Sequence, residues 1–209
     1  MIWKEYLKFF IGLIAIVNPL GAIPIFIALT AGLDRSDRRR VSRMASVAVA
    51  AILLAALLVG EAILRFFGIS IPSFQVAGGL LILLMAISMM HGRPSRVQQT
   101  EEEARDAEEM DSVAVMPLGI PLLAGPGAIS TIILYVHRSR APWDMAILAL
   151  EILVVSLAVW LCLRSAPFIA RFLSRTGINI ATRIMGLIMA AIGIEFIATG
   201  LKQLFPILS

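Results

Sequence analysis

The sequence predicts an all-α polytopic membrane protein: six transmembrane helices arranged as two inverted three-helix repeats, each with a broken first helix. Three observations predict it. The chain is 59% apolar and only 15% charged, with a mean hydropathy of +0.92. Its charges fall mainly between six apolar runs. One motif rich in glycine and proline occurs twice, once in each half.

Composition excludes whole classes of protein. Soluble domains average about 45–50% apolar and about 25% charged residues. A chain of 209 residues has too much surface for its volume to hide the surplus from water. A soluble enzyme, a nucleic-acid binder and a disordered chain are therefore set aside, and the first partner is the lipid bilayer. The lone Cys162 has no disulfide partner, and His91 and His137 lack neighbouring ligands at metal-binding spacing. No metal or organic cofactor is expected.

A helix rising about 1.5 Å per residue needs about 20 apolar residues to cross about 30 Å of hydrocarbon. The uncharged runs 9–33, 66–90 and 112–137 meet that length as spans 1, 3 and 4. Span 2, 44–60, reaches residue 64 if Glu61 is tolerated, and spans 5 (145–163) and 6 (184–201) contain Glu151 and Glu195. The first run exceeds the about 7–15 apolar residues of a signal peptide and precedes no small-residue cleavage site, so it reads as a retained span.

Twelve of the eighteen Lys and Arg residues fall in the links after spans 1, 3 and 5. The positive-inside rule then puts those links in the cytoplasm and both termini outside. The longest link, 92–111, carries seven carboxylates and three arginines without apolar period, and reads as a solvated cytoplasmic linker. Beyond span 5, Arg164, Arg171 and Arg175 fall opposite Phe168, Ile169 and Phe172, which predicts a short basic helix lying at the headgroups.

The acidic linker divides the chain into 1–91 and 112–209. Gly21-Ala22-Ile23 recurs as Gly127-Ala128-Ile129, and Gly68-Ile69-x-Ile71 as Gly177-Ile178-x-Ile180, at offsets of 106 and 109. Three spans per half force the second copy to enter the membrane upside down, as in many secondary transporters. Asn18-Pro19-Leu20-Gly21 with Pro24 would interrupt span 1, and Gly125-Pro126-Gly127, with Pro117 and Pro121 upstream, would interrupt span 4. Proline removes an amide donor and clashes one turn back, while glycine eases unwinding. Backbone groups freed at that depth must meet protein, water, ion or substrate. Half-helix amides suit an anion and unwound carbonyls a cation, so a zwitterion satisfies both ends. The competing reading, helices merely kinked by proline, accounts less well for two breaks at matching positions.

Asn18, Ser130 and Thr131 lie in or just past the breaks, where they either bond a ligand or, for the two hydroxyls, back-bond to their own helix. Carboxylates inside the bilayer are costly and default to function. Glu195, near the middle of span 6, is the first coupling candidate, by carrying a proton or holding a cation; its alternative is a protonated bond to a neighbouring helix. Glu151 is the second. Glu61 reads instead as a partner of Arg65, four residues on. Met85, Met89 and Met90 read as lipid-facing or packing residues, and Gly78, Gly79 and Gly186 as close helix contacts. Neither a nucleophile elbow nor a phosphate-binding loop is present, so no enzyme is expected.

Asn18-Pro19-Leu20-Gly21, the run FGISIPSFQVAGG at 67–79, AGPGAISTI at 124–132 and TRIMGL at 182–187 together resemble the MarC family of bacterial and archaeal inner-membrane proteins. The resemblance spans nearly the whole chain except the acidic linker. It implies six spans and, from a characterised branch, cation-driven transport of small neutral amino acids such as glycine and alanine, with sodium or a proton as the coupling ion. The family is similar to a larger group of amino-acid exporters that includes lysine exporters. Many relatives have arginine where Gln75 stands, whereas Arg183 keeps one at the repeat position, so the resemblance leaves the identical substrate open. The site expected on these grounds comprises Asn18, Pro19, Gly21, Gly125, Pro126, Gly127, Ser130 and Thr131, with Glu195 or Glu151 coupling and Gln75 and Arg183 as further polar groups. Export of other metabolites and a channel or structural subunit, alone or as a homo-oligomer, are the alternatives.

Overall fold

The computed structural model describes residues 3–30, 32–91, 123–139, 141–172 and 175–205. Among these residues it is all helix: α1 (Trp3–Val17), α2 (Ile23–Leu29), α3 (Arg35–Phe66), α4 (Ile71–Met90), α5 (Pro126–Arg138), α6 (Pro142–Phe172) and α7 (Arg175–Leu204). Four are long and apolar enough to cross a membrane, namely α3, α4, α6 and α7. The apolar run 9–33 is divided between α1 and α2. The linker 92–111 and the first part of span 4, with Pro117 and Pro121, lie outside the described residues.

Local chemistry sets the helix ends. Asp34 caps α3 by accepting from the Asp37 amide at 2.8 Å. At the other end Gly68 takes φ +68, the left-handed conformation that lets Ile69 N–H reach the Leu64 carbonyl at 2.9 Å. Ser70 then caps α4, with Pro72 in its first turn, so a very short link turns the chain back. α6 begins with a reach-back bond, Ala141 N–H donating to Asp144 Oδ2 at 3.1 Å.

Helices α3 and α6 outrun their apolar segments. At 32 and 31 residues they extend about 45–50 Å, well beyond a hydrocarbon core of about 30 Å. The separate basic helix expected after span 5 is instead the end of α6, which runs through Pro167 to Phe172. Proline there withdraws one donor from the Leu163 carbonyl, at the very end of the apolar run.

The main contacts pair α4 with α7, α3 with α6, and α5 with α1, α3 and α4. Each direction can be read from side chains. Phe9 lies against Tyr135, ring centroids 4.9 Å apart, while Ile16 meets Gly127, so α1 and α5 are antiparallel. Gly79 faces Gly193 and Gly200 faces Pro72 and Val76, so α4 and α7 are antiparallel also. On α3, Val41, Ala45, Val49, Leu53 and Leu57 form a buried stripe, and on α6 so do Leu148, Ile152, Val155, Val159 and Leu163. Many large apolar side chains, Leu58, Leu157 and Leu187 among them, stay exposed. That is the outward surface expected of a chain solvated by lipid.

One polar contact is buried near the start of α1. The Tyr6 hydroxyl donates to Asp144, which is wholly buried. Asp144→Ala would strand that hydroxyl and the Ala141 amide, at roughly 1–3 kcal/mol for each buried group left unsatisfied. Unfolding in mixed micelles should show the loss, with Tyr6→Phe costing less because it removes the donor as well as the bond. Equal stability of Asp144→Ala and the parent protein would refute this assignment.

Candidate functional site at two helix breaks

The break in the first apolar run is built around Asn18. Its amide still bonds the Ile14 carbonyl at 2.9 Å, completing α1, but its own φ is +48. A non-glycine residue in the left-handed region is uncommon, and asparagine tolerates it best because its side chain bonds locally. Here Oδ1 accepts from the Gly21 amide at 3.2 Å, and the Asn18 carbonyl accepts from the same amide at 3.1 Å. The side-chain Nδ2 donates to Met89 Sδ at 3.6 Å. Gly21 is required by space: an added Cβ would lie 2.2 Å from Asn18 Nδ2. Asn18 is buried, and Pro19 with it.

The second break opens α5. Gly125 is the N-cap residue and offers no side-chain bond, while Pro126 occupies the first turn, where a missing N–H costs nothing. Gly127 is pressed between two helices, since a Cβ there would lie 2.6 Å from Ile82 and 3.3 Å from Ile16. Ser130 packs on Gly78, whose added Cβ would meet the serine side chain at 2.5 Å. The Thr131 hydroxyl donates to the Gly127 carbonyl at 2.8 Å, the back-bonding arrangement of a helical threonine.

One face of α4 therefore supports both breaks: Met89 holds Asn18, Ile82 rests on Gly127, and Gly78 on Ser130. Seven residues separate Met89 from Ile82, about 10 Å along the helix. Ile16, two residues before Asn18, touches Gly127 directly. The end of α1 and the start of α5 thus meet in space although 111 residues separate Ile16 from Gly127.

The remaining polar residues divide. Gln75, one turn before Gly78 on the same face, is buried, and its Oε1 has no hydrogen-bond partner among the described residues. Glu151 is partly buried, and its Oε2 is likewise without a partner among them. Glu195 and Arg183 are exposed on α7, so the structure does not bring them to the breaks. Glu61 bonds Arg65 Nη2 at 2.9 Å, as the spacing suggested, and also lies 3.2 Å from His137 Nδ1, linking α3 to α5.

Sequence reasoning missed Met89 as the partner of Asn18. The signal was present, because residues 78, 82, 85 and 89 share one helical face, but a methionine in an apolar run reads as packing.

Apolar helices with exposed apolar side chains, one run divided between α1 and α2 and another helix opening at Gly125-Pro126-Gly127, define a polytopic helical membrane protein. The chain belongs to the MarC family: the model for MarC family integral membrane proteins matches residues 3–205. It is 44% identical over 201 residues to UPF0056 membrane protein YhcE of Escherichia coli, covering 96% of this chain and 94% of that protein. UPF0056 membrane protein BU267 of Buchnera aphidicola is also 44% identical, with the same coverage. The archaeal UPF0056 membrane protein PYRAB13050 of Pyrococcus abyssi is 39% identical over 204 residues, covering 98% of each chain. No solved structure matches.

Proposed function

We propose that this protein is a secondary active transporter of small neutral amino acids, of glycine or alanine size, coupled to a proton or sodium gradient across the bacterial inner membrane. The observation that carries the reading is the meeting of the interrupted first run and the Gly125-Pro126-Gly127 start of α5 on one face of α4, with Ile16 of the first against Gly127 of the second. The N-terminus of α5 directs its positive dipole end into the break with no capping side chain from Gly125, an arrangement suited to a carboxylate. The turn at Asn18 offers carbonyl oxygens of the kind that hold an ammonium group. Gly21, Gly78 and Gly127 each lack room for one more carbon, so the breaks are tightly packed against their neighbours.

A six-span inverted repeat supports the same reading. If spans 1, 2 and 3 correspond to spans 4, 5 and 6, the contacts of α1 with α5, α3 with α6 and α4 with α7 are repeat partners, and the two pairs traced through their glycines run antiparallel. That is the relation an inverted duplication produces, and it lets one half rock against the other around a fixed site. The arginine balance argues for periplasmic termini and a cytoplasmic linker.

For coupling, placement favours Glu151 over Glu195, because Glu151 is partly buried with an unpaired oxygen and Glu195 faces outward. Reconstituted into proteoliposomes, the protein should accumulate labelled alanine or glycine only under an imposed proton or sodium gradient. Glu151→Gln should abolish the gradient dependence, and Glu195→Gln should retain it. Absence of gradient-driven flux across a broad amino-acid panel sinks the transport reading, and non-saturating flux would indicate a channel.

A further inference from the structure

The start of α3 and the end of α6 enclose a groove that the transport reading does not use. It comprises two adjoining hollows of about 560 and 590 Å³, and both are lined by Arg35, Arg39 and Arg164. Ser36, Arg40, Arg43 and Trp160 also line the second hollow, and Phe168 lines the first. Arg35, Arg39 and Arg43 recur every four residues and so form one cationic stripe about 12 Å long. Arg164 approaches from α6 with its guanidinium 5.3 Å from the centre of the Trp160 ring. Arg38 is employed differently: its Nε donates to the Thr30 carbonyl at 3.0 Å, at the end of α2. The nearby carboxylate of Asp34 is engaged in capping α3.

Depth identifies the ligand. Arg43 immediately precedes the apolar run of α3, and Arg164 immediately follows that of α6, so the groove sits where hydrocarbon gives way to headgroups. Trp160, one turn further in, is the residue type that prefers that boundary. Below it the exposed side chains are apolar: Val47 on α3, and Leu157 and Leu161 on α6. Four guanidiniums at headgroup level above an apolar wall match a phosphodiester carrying acyl chains.

We propose that this groove is a binding site for an anionic phospholipid, with the phosphate held by Arg35, Arg39, Arg43 and Arg164 and the acyl chains against α3 and α6. A soluble anion would use the arginines and leave the apolar wall unused.

The test uses the full-length protein, purified in detergent and titrated with phosphatidylglycerol, with phosphatidylcholine and with inorganic phosphate, bound lipid being read by native mass spectrometry and by the shift in melting temperature. Phosphatidylglycerol should bind and raise the melting temperature, and phosphatidylcholine should do neither. Joint substitution of Arg39, Arg43 and Arg164 by glutamine should weaken phosphatidylglycerol binding roughly tenfold to hundredfold. Replacing the same three by lysine should retain most of it, which separates loss of charge from loss of fold. Arg138→Gln, on α5, should leave binding unchanged. Equal binding of the two lipids, or full binding by the triple glutamine variant, overturns the proposal. So does inorganic phosphate matching the effect of phosphatidylglycerol, which would make this a soluble-anion site.

Discussion

Gly193→Val will separate α4 from α7 and strongly destabilise the protein. A Cβ at Gly193 would lie 2.8 Å from the Gly79 carbonyl oxygen and 3.0 Å from the Leu83 amide nitrogen. Both obstacles are backbone, so no side-chain rotation relieves the clash. The helices must move apart, and packing along the whole seam is lost with them. In lipid this matters more than area alone suggests, because tails are as apolar as leucine and helices associate chiefly through close packing. Overpacking in a tight interior costs roughly 1–3 kcal/mol, and valine here should reach the upper end. Gly12→Val is the matched control, since nothing lies within 4 Å of a Cβ at Gly12. Equilibrium unfolding in mixed micelles compares the two. Equal stability would mean that α4 and α7 are not held by backbone approach.

That seam illustrates what a single sequence conceals. Gly186, Gly193 and Gly200 fall at seven-residue intervals on α7, and each meets α4 too closely for a Cβ to fit without displacement. Gly78, Gly79 and Gly186 stood out in the sequence as small residues near matching repeat positions. Gly193 and Gly200 did not, because a glycine in an apolar run signals close approach only once the opposing helix is known. The paired carboxylate and phenol of Asp144 and Tyr6 were hidden for the same reason: 138 residues apart, they meet only through packing.

The breaks were legible because their cause is local. Proline and glycine act on the backbone of their own turn, so Asn18-Pro19-Leu20-Gly21 and Gly125-Pro126-Gly127 marked the ends of α1 and the start of α5 without tertiary information. Helix length was less legible. Charge ended the apolar runs at residues 44 and 163, but backbone hydrogen bonding does not stop where hydrocarbon does, and α3 and α6 continue into the headgroup region. Glu195 shows the same limit from another side. Its position in the chain placed it mid-span, and only the packing of α7 on α4 reveals that it faces outward.

Substitutions at Asn18 should produce the largest change in transport, and three variants separate its roles. Asn18 supplies a left-handed φ, an acceptor for the Gly21 amide and a donor to Met89. Asn18→Gly keeps the conformation and removes both side-chain bonds. Asn18→Ala also removes them and adds the steric cost of a left-handed L-residue, about 1–2 kcal/mol. Asn18→Asp keeps the acceptor for Gly21 but replaces the donor to Met89 with a buried charge. If the break is a substrate site held in shape by Asn18, the glycine variant should fold with near-parental stability yet lose about tenfold in alanine or glycine flux, the scale of one or two hydrogen bonds. The alanine variant should lose both stability and flux. The aspartate variant should lose flux most, because a carboxylate there would compete for the ammonium of the substrate while repelling its carboxylate. Gly21→Ala provides an independent check, since its methyl group would drive the Asn18 amide out of place without removing it. Flux is measured in proteoliposomes at matched protein incorporation, with stability followed separately in micelles. Parental flux in both Asn18→Gly and Gly21→Ala would reduce the break to a structural kink and move the search for the site elsewhere along α4.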